Sequence, residues 1–244
     1  MLIAGNWKMN KTVKETKDFF SKFNKLVSKT KNQILICPSF PCIPAAKKSA
    51  SAKIFIGAQN IFFEEKGEFT GEVSPLQLKD FCDFIILGHS DRRHKFSESS
   101  DSINKKIKAS LKHNFNVILC VGETFSERES DQTKEILSEQ LSDSLKEVSF
   151  SEKILVAYEP VWAIGSGKTA KPKDVFEVHS FIKSQLIELF GEKAAQTKIL
   201  YGGSVKPENL KEIFSVENVD GVLVGGASLN PVSFSKIANY EKNK

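Results

Sequence analysis

The sequence predicts an α/β chain folded as a single closed (β/α)8 barrel, and three observations lead there. Short β-branched or apolar runs recur along the chain, and each is followed by a longer stretch with helical periodicity. The pair repeats eight times in 244 residues, about 30 residues per step, the usual size of a strand–helix–strand unit. Strict alternation implies parallel strands joined by right-handed crossovers, and eight repeats at this length favour closure over an open doubly wound sheet. No Pro/Gly/Ser-rich linker and no break in composition divides residues 1–244, so one domain is expected.

In chain order, the strand Leu2–Asn6 leads to a helix near Lys14–Ser28, Gln33–Cys37 to Pro44–Ala50, Ile54–Gln59 to Pro75–Phe81, and Phe84–Gly88 to Asp101–His113. Val117–Gly122 then leads to Asp131–Val148, Ile154–Glu159 to Asp174–Phe190, Ile199–Gly202 to Pro207–Phe214, and Gly221–Gly225 to Pro231–Tyr240. Apolar residues make up 40% and charged residues 27%, enough for a large core under an ordinary polar surface. No apolar stretch approaches the roughly 18 residues of a membrane span, and the N-terminus lacks a secretory pattern. Cys37, Cys42, Cys82 and Cys120 form no CxxC pair and sit in mostly apolar surroundings. They suit buried, reduced thiols in a cytoplasmic protein better than a disulfide frame or a zinc site. The formal charge of +5 is carried almost wholly by lysine, with acidic residues interleaved. That reads as a solvated surface with no call for nucleic acid, although a modest positive field would attract a small anion.

In such a barrel the chemistry gathers where strands end and helices begin. Gly202-Gly203-Ser204 and Gly225-Gly226 follow strands seven and eight. Glycine there lets backbone N–H groups approach a ligand closely, and this position is the usual phosphate site of the fold. Glu159 ends strand six, held extended by Pro160. It could be a salt-bridge partner, a metal ligand or a general base. No ligand cluster accompanies it, which argues against a metal, and partial burial would suit it to taking a proton from carbon. The loop 160–170 carries Gly165 and Gly167 at its tip and an apolar Trp162-Ala163-Ile164 segment that an inert surface loop would leave in water, so it looks like a lid. His89 begins the turn after strand four, where a facing helix N-terminus disfavours the cationic ring. Lys8 and Asn6 close the first strand. A lysine there could bind phosphate and stabilise charge on an enolate oxygen.

Six motifs resemble one family closely. They are Ala4–Asn10, Gly88–Arg93, Cys120–Thr124, Ala157–Gly165, Tyr201–Val205 and Val224–Leu229, and they span the chain in the order found in the triosephosphate isomerase family. The resemblance implies a TIM barrel that interconverts dihydroxyacetone phosphate and D-glyceraldehyde 3-phosphate through an enediolate, in glycolysis and gluconeogenesis, with no cofactor and no metal. It implies Glu159 as base, neutral His89 as electrophile and proton shuttle, and Lys8 and Asn6 as electrostatic stabilisers. It also implies that backbone N–H groups of Gly165, Ser204, Gly225 and Gly226 grip the phosphate, and that the loop Gln59–Ser74, rich in phenylalanine, joins two copies as a homodimer. Asp91 stands where the family usually has glutamate. One methylene less is expected to weaken its contact with Lys8 or a water, and to reduce turnover without abolishing it. Two other readings stay open on the residues alone: another phosphate-binding barrel acting on a different phosphosugar, or a non-catalytic phosphometabolite-binding protein.

Overall fold

The computed structural model describes residues 1–163 and 170–241. Eight strands alternate with helices: β1 Leu2–Asn6, β2 Gln33–Cys37, β3 Ile54–Ala58, β4 Phe84–Leu87, β5 Asn116–Val121, β6 Ile154–Tyr158, β7 Ile199–Tyr201 and β8 Gly221–Val224. Every pairing is parallel, each strand lies beside its sequence neighbours, and β1 pairs with β8 to close the barrel. The helices are α1 Val13–Leu26, α2 Ile43–Ser49, α3 Pro75–Leu78, α4 Ser90–Lys95, α5 Ser100–Lys112, α6 Phe125–Glu129, α7 Thr133–Ser144, α8 Pro172–Phe190, α9 Leu210–Ser215 and α10 Pro231–Ala238.

The two-residue period of the strands divides the core. Leu2, Ala4, Leu35, Cys37, Ile86, Ile118, Cys120 and Leu200 belong to a buried cluster contributed by strands alone, which fills the barrel. The alternate strand residues, such as Ile3, Ile34, Ile36, Val117 and Val156, pack with helix residues including Phe19, Phe23, Ile107 and Ile182 in the outer cluster. Apart from the exposed Gln33 on β2 and Phe55 on β3, the strands are therefore buried on both faces, which is why the runs read as continuously apolar. All four cysteines are free and buried, as the sequence predicted. Burial pushes the Cys37 and Cys120 thiols well up and that of Cys82 to about 12. Among the described residues no helix is long and apolar enough to cross a membrane.

The expected strands and helices are all present, but their ends moved for local reasons. Strands expected to reach Gln59, Gly88, Gly122, Glu159, Gly202 and Gly225 stop one residue sooner, so these residues leave the ladder at the rim. The helix expected from Asp131 begins at Thr133, because Asp131 takes φ 57 and turns the chain after α6. Two short helices were not anticipated. α6 opens on a reciprocal capping box in which Thr124 accepts from the Glu127 N–H and Glu127 accepts from the Thr124 N–H, a Thr-x-x-Glu signal present in the sequence. α4 is capped by His89, an unusual residue for that position.

His179 on α8 is wholly buried. Its Nδ1 donates to the Asn218 carbonyl at 2.8 Å, while Nε2 has no partner among the described residues. Burial holds its pKa down at about 4 against the ordinary 6.5, with the Asn218 carbonyl and Asp220 opposing only in part. Since the folded value is depressed, the unfolded chain takes up the proton first as pH falls. The contribution of His179 is then intact above 6.5 and is lost progressively from 6.5 towards 4. Urea unfolding at about pH 5 is expected to show the parent destabilised by about 2 kcal/mol through this group relative to neutral pH, and His179→Gln is expected to remove that component. Equal pH dependence in the two proteins would exclude it.

Candidate active site

A cavity of about 310 Å³ opens at the carboxyl ends of the strands, lined by Asn6, Lys8, His89, Glu159, Gly202, Gly203, Ser204, Gly225 and Gly226 among others. All the site residues chosen from sequence lie in or beside it except Gly165, which falls outside the described residues.

The β1 end is the most constrained part. Lys8 holds φ 51, a left-handed conformation that costs a side-chain-bearing residue free energy and persists only when neighbours enforce it. They do so here. The Asn6 side chain accepts the Lys8 N–H at 3.0 Å, and Gln59 donates to both the Lys8 and Cys37 carbonyls at 2.9 and 2.8 Å. Asn10 donates to the Trp7 carbonyl at 2.7 Å, and Trp7 itself is fully buried edge-on to Phe19. The result aims the Lys8 ammonium into the cavity mouth, where it meets Asp91 Oδ2 at 2.9 Å.

The shorter aspartate thus reaches Lys8 directly. Asp91 also binds Lys95 at 2.7 Å, one helical turn along α4. Burial alone would raise its carboxyl, but the hydrogen bonds from Lys95 and Lys8 outweigh it and hold the group at about 2.

His89 and Glu159 meet directly. The Asp91 N–H donates to His89 Nδ1 at 3.0 Å, so the ring keeps its proton on Nε2, which lies 3.1 Å from Glu159 Oε1. The other carboxylate oxygen accepts the Ser90 N–H at 2.9 Å. Both side chains are almost entirely buried, which is tolerable for a carboxylate only because each oxygen has a donor. Ser90 escaped the sequence reading because its contribution is a backbone group at the first residue of a short helix, visible to no residue-type argument.

Behind Glu159 lies Glu123, also missed as a site element although its motif was noted. It is completely buried, and its Oε1 accepts from the Tyr158 hydroxyl, Trp162 Nε1 and Arg128 at 3.0, 3.0 and 3.3 Å. Burial first, and then the Glu123 charge, push the Tyr158 hydroxyl well up. The Arg128 guanidinium lies 4.8 Å from the Trp162 ring centroid and reaches Asp174 on α8 at 3.3 Å. Trp162 is tethered at the indole nitrogen and half-covered, and Ala163 and Ala170 are buried. Residues 164–169, the expected lid tip, lie outside the described residues.

Space is tightest around the glycines. A Cβ on Gly202 would lie 2.9 Å from Glu159 Cγ, and one on Gly203 would lie 2.3 Å from the Tyr201 hydroxyl. Gly225 and Gly226, by contrast, face open space and give the cavity a wall of bare backbone. Lys206 joins Lys8 on the lining, so the cavity carries two ammonium groups suited to an anion. Among the described residues no group of three or more His, Cys, Asp or Glu side chains is placed to hold a metal ion.

The sequence profile of the triosephosphate isomerase family matches residues 1–241. The chain is 48% identical to a triosephosphate isomerase of Thermodesulfovibrio yellowstonii, over 98% of each chain. It is 46% identical to those of Moorella thermoacetica, over 99% of this chain and 98% of the relative, and Clostridium tetani, over 98% and 96%.

Gly122 offers a test of how closely the rim is packed. Gln140 clamps it by hydrogen bonds of 2.9 and 3.1 Å, and a Cβ there would lie 1.8 Å from the Glu159 carbonyl oxygen. Gly122→Ala is expected to lower the unfolding free energy in urea by about 3 kcal/mol, since backbone must move to admit the methyl. A loss below about 1 kcal/mol would mean the Glu159 backbone yields freely.

Proposed function

The chain belongs to the triosephosphate isomerase family, and from that premise we propose that its rim cavity interconverts dihydroxyacetone phosphate and D-glyceraldehyde 3-phosphate. The observation that carries the reading is the meeting of Glu159, His89 and Lys8 in one cavity with the Gly203–Ser204 and Gly225–Gly226 wall. Relatives named triosephosphate isomerase match nearly the whole chain, which does not favour a different phosphosugar or a non-catalytic binder.

The chemistry follows from the groups. The phosphate lies against backbone N–H groups of Ser204, Gly225 and Gly226, the family resemblance adding Gly165, and Lys8 supplies positive charge nearby. Glu159 takes a proton from the carbon beside the carbonyl, and the C–H electron pair passes into a carbon–carbon double bond as the carbonyl oxygen becomes an enediolate oxygen. The Nε2–H of His89 and the Lys8 ammonium stabilise that oxygen, with Asn6 beside them. Return of the proton from Glu159 to the neighbouring carbon, with a proton moved between the two oxygens through His89, completes the isomerisation. Ser90 and His89 each donate to one Glu159 oxygen, so the carboxylate releases at least one of these bonds to reach carbon. Asp91 holds the Lys8 ammonium in place. The segment 160–170 serves as the lid, excluding water that would promote loss of phosphate from the enediolate.

We further propose that two copies associate through Gln59–Ser74. In this loop Phe62 stacks on Phe63 and contacts Phe69, and Phe69 remains exposed, as does Met9 beside Lys8. Apolar surface of that kind next to a strained lysine favours cover by a partner. The four unpaired thiols fit a reducing compartment and support a cytoplasmic location.

A coupled assay of glyceraldehyde 3-phosphate isomerisation without added metal tests the reaction. Rapid turnover by the parent and a loss of several powers of ten in Glu159→Gln are expected; an inactive, folded parent would overturn the assignment. Light scattering at micromolar concentration is expected to give twice the chain mass, and a monomer mass would exclude the dimer.

A further inference from the structure

Arg93 sits one turn into α4 and has no carboxylate within ion-pair distance among the described residues. Its guanidinium is spent instead on neutral acceptors. Nε donates to the Gly88 carbonyl at 2.9 Å, Nη1 to the Ser100 hydroxyl at 3.2 Å, and Nη2 to the Cys120 carbonyl at 3.3 Å and the Ser144 hydroxyl at 3.4 Å. These acceptors come from the end of β4, from β5, from α5 and from α7. Gly88 is the residue before His89 and holds φ 68, so the arginine grips the turn that presents the imidazole. A Cβ on Gly88 would lie 2.9 Å from Nη2, which shows how closely the guanidinium is applied to that turn.

We propose that Arg93 is a positioning residue for the isomerisation: it locks the β4 and β5 ends into one frame so that His89 and the Ser90 N–H meet Glu159. The inference rests on the isomerase reading above. The planar guanidinium presents its N–H donors in a fixed fork that a lysine ammonium cannot reproduce, so one side chain holds four acceptors from four elements in a single arrangement.

The test compares the parent, Arg93→Lys and Arg93→Gln in the coupled assay, with thermal melting as a check on folding. Arg93→Lys keeps charge but loses the fork. It is expected to lower kcat about tenfold with KM within about twofold of the parent. Arg93→Gln is expected to lower kcat further, again with KM little changed. A folded Arg93→Gln with the parent's kcat overturns the proposal, as does Arg93→Lys with the parent's kcat. Should Arg93→Gln fail to fold, the kcat of Arg93→Lys decides alone. An inactive parent would instead sink the isomerase reading, so the two failures are distinguishable.

Discussion

Closure of β1 onto β8 is the contact on which the rest depends. It pairs Leu2 with Gly221 and Gly5 with Val224, so nearly the whole chain must be looped to make it. The approach is close: a Cβ on Gly221 would lie 2.1 Å from the Leu2 carbonyl oxygen, which leaves glycine as the residue that fits. An open sheet would leave β1 and β8 at opposite edges. Closed, the Lys8 side chain comes within 3.9 Å of where a Gly225 Cβ would stand. The lysine from the start of the chain and the bare backbone from its end therefore share one cavity, and the barrel has no unpaired edge strand.

Around that cavity the protein solves one problem repeatedly, which is how to keep charge out of water beside an apolar core. Glu159 gives one oxygen to the Ser90 N–H and the other to His89 Nε2. Glu123 gathers three donors on one oxygen. Glu98 pairs with buried Lys106, which also donates to Asn60 at 2.9 Å, and with Arg92 at 3.1 Å. Removing one member of such a group would strand the others, which costs more than the pairing itself contributes. The rim is therefore rigid where chemistry is placed, and its rigidity comes from polar satisfaction as much as from packing.

Helix α4 shows how few residues this requires. Six residues carry the Ser90 N–H, the Asp91 carboxylate, the Arg93 fork and Lys95, and His89 caps their start. No amphipathic pattern announces a helix that short, and tertiary contacts hold it in place of propensity. α6 is equally short, yet it carried a legible mark in Thr124 and Glu127.

Periodicity, glycine placement and the residues at the eight strand ends together determined the (β/α)8 class, the order of the elements and the candidates Asn6, Lys8, His89, Glu159, Ser204, Gly225 and Gly226. Such features are local, because strand alternation, helix period and rim position follow from backbone geometry within a few residues. The tertiary structure alone decided that Asp91 reaches Lys8 despite its shorter side chain, and that Lys95 shares it. It alone decided that Trp162 is tied to Glu123, and that Ser90 and Arg93 belong to the site. Each of these is a distance between groups far apart in sequence or a role played by backbone atoms. Only closure of the barrel, which brings the strand ends within a few ångströms of one another, sets such distances.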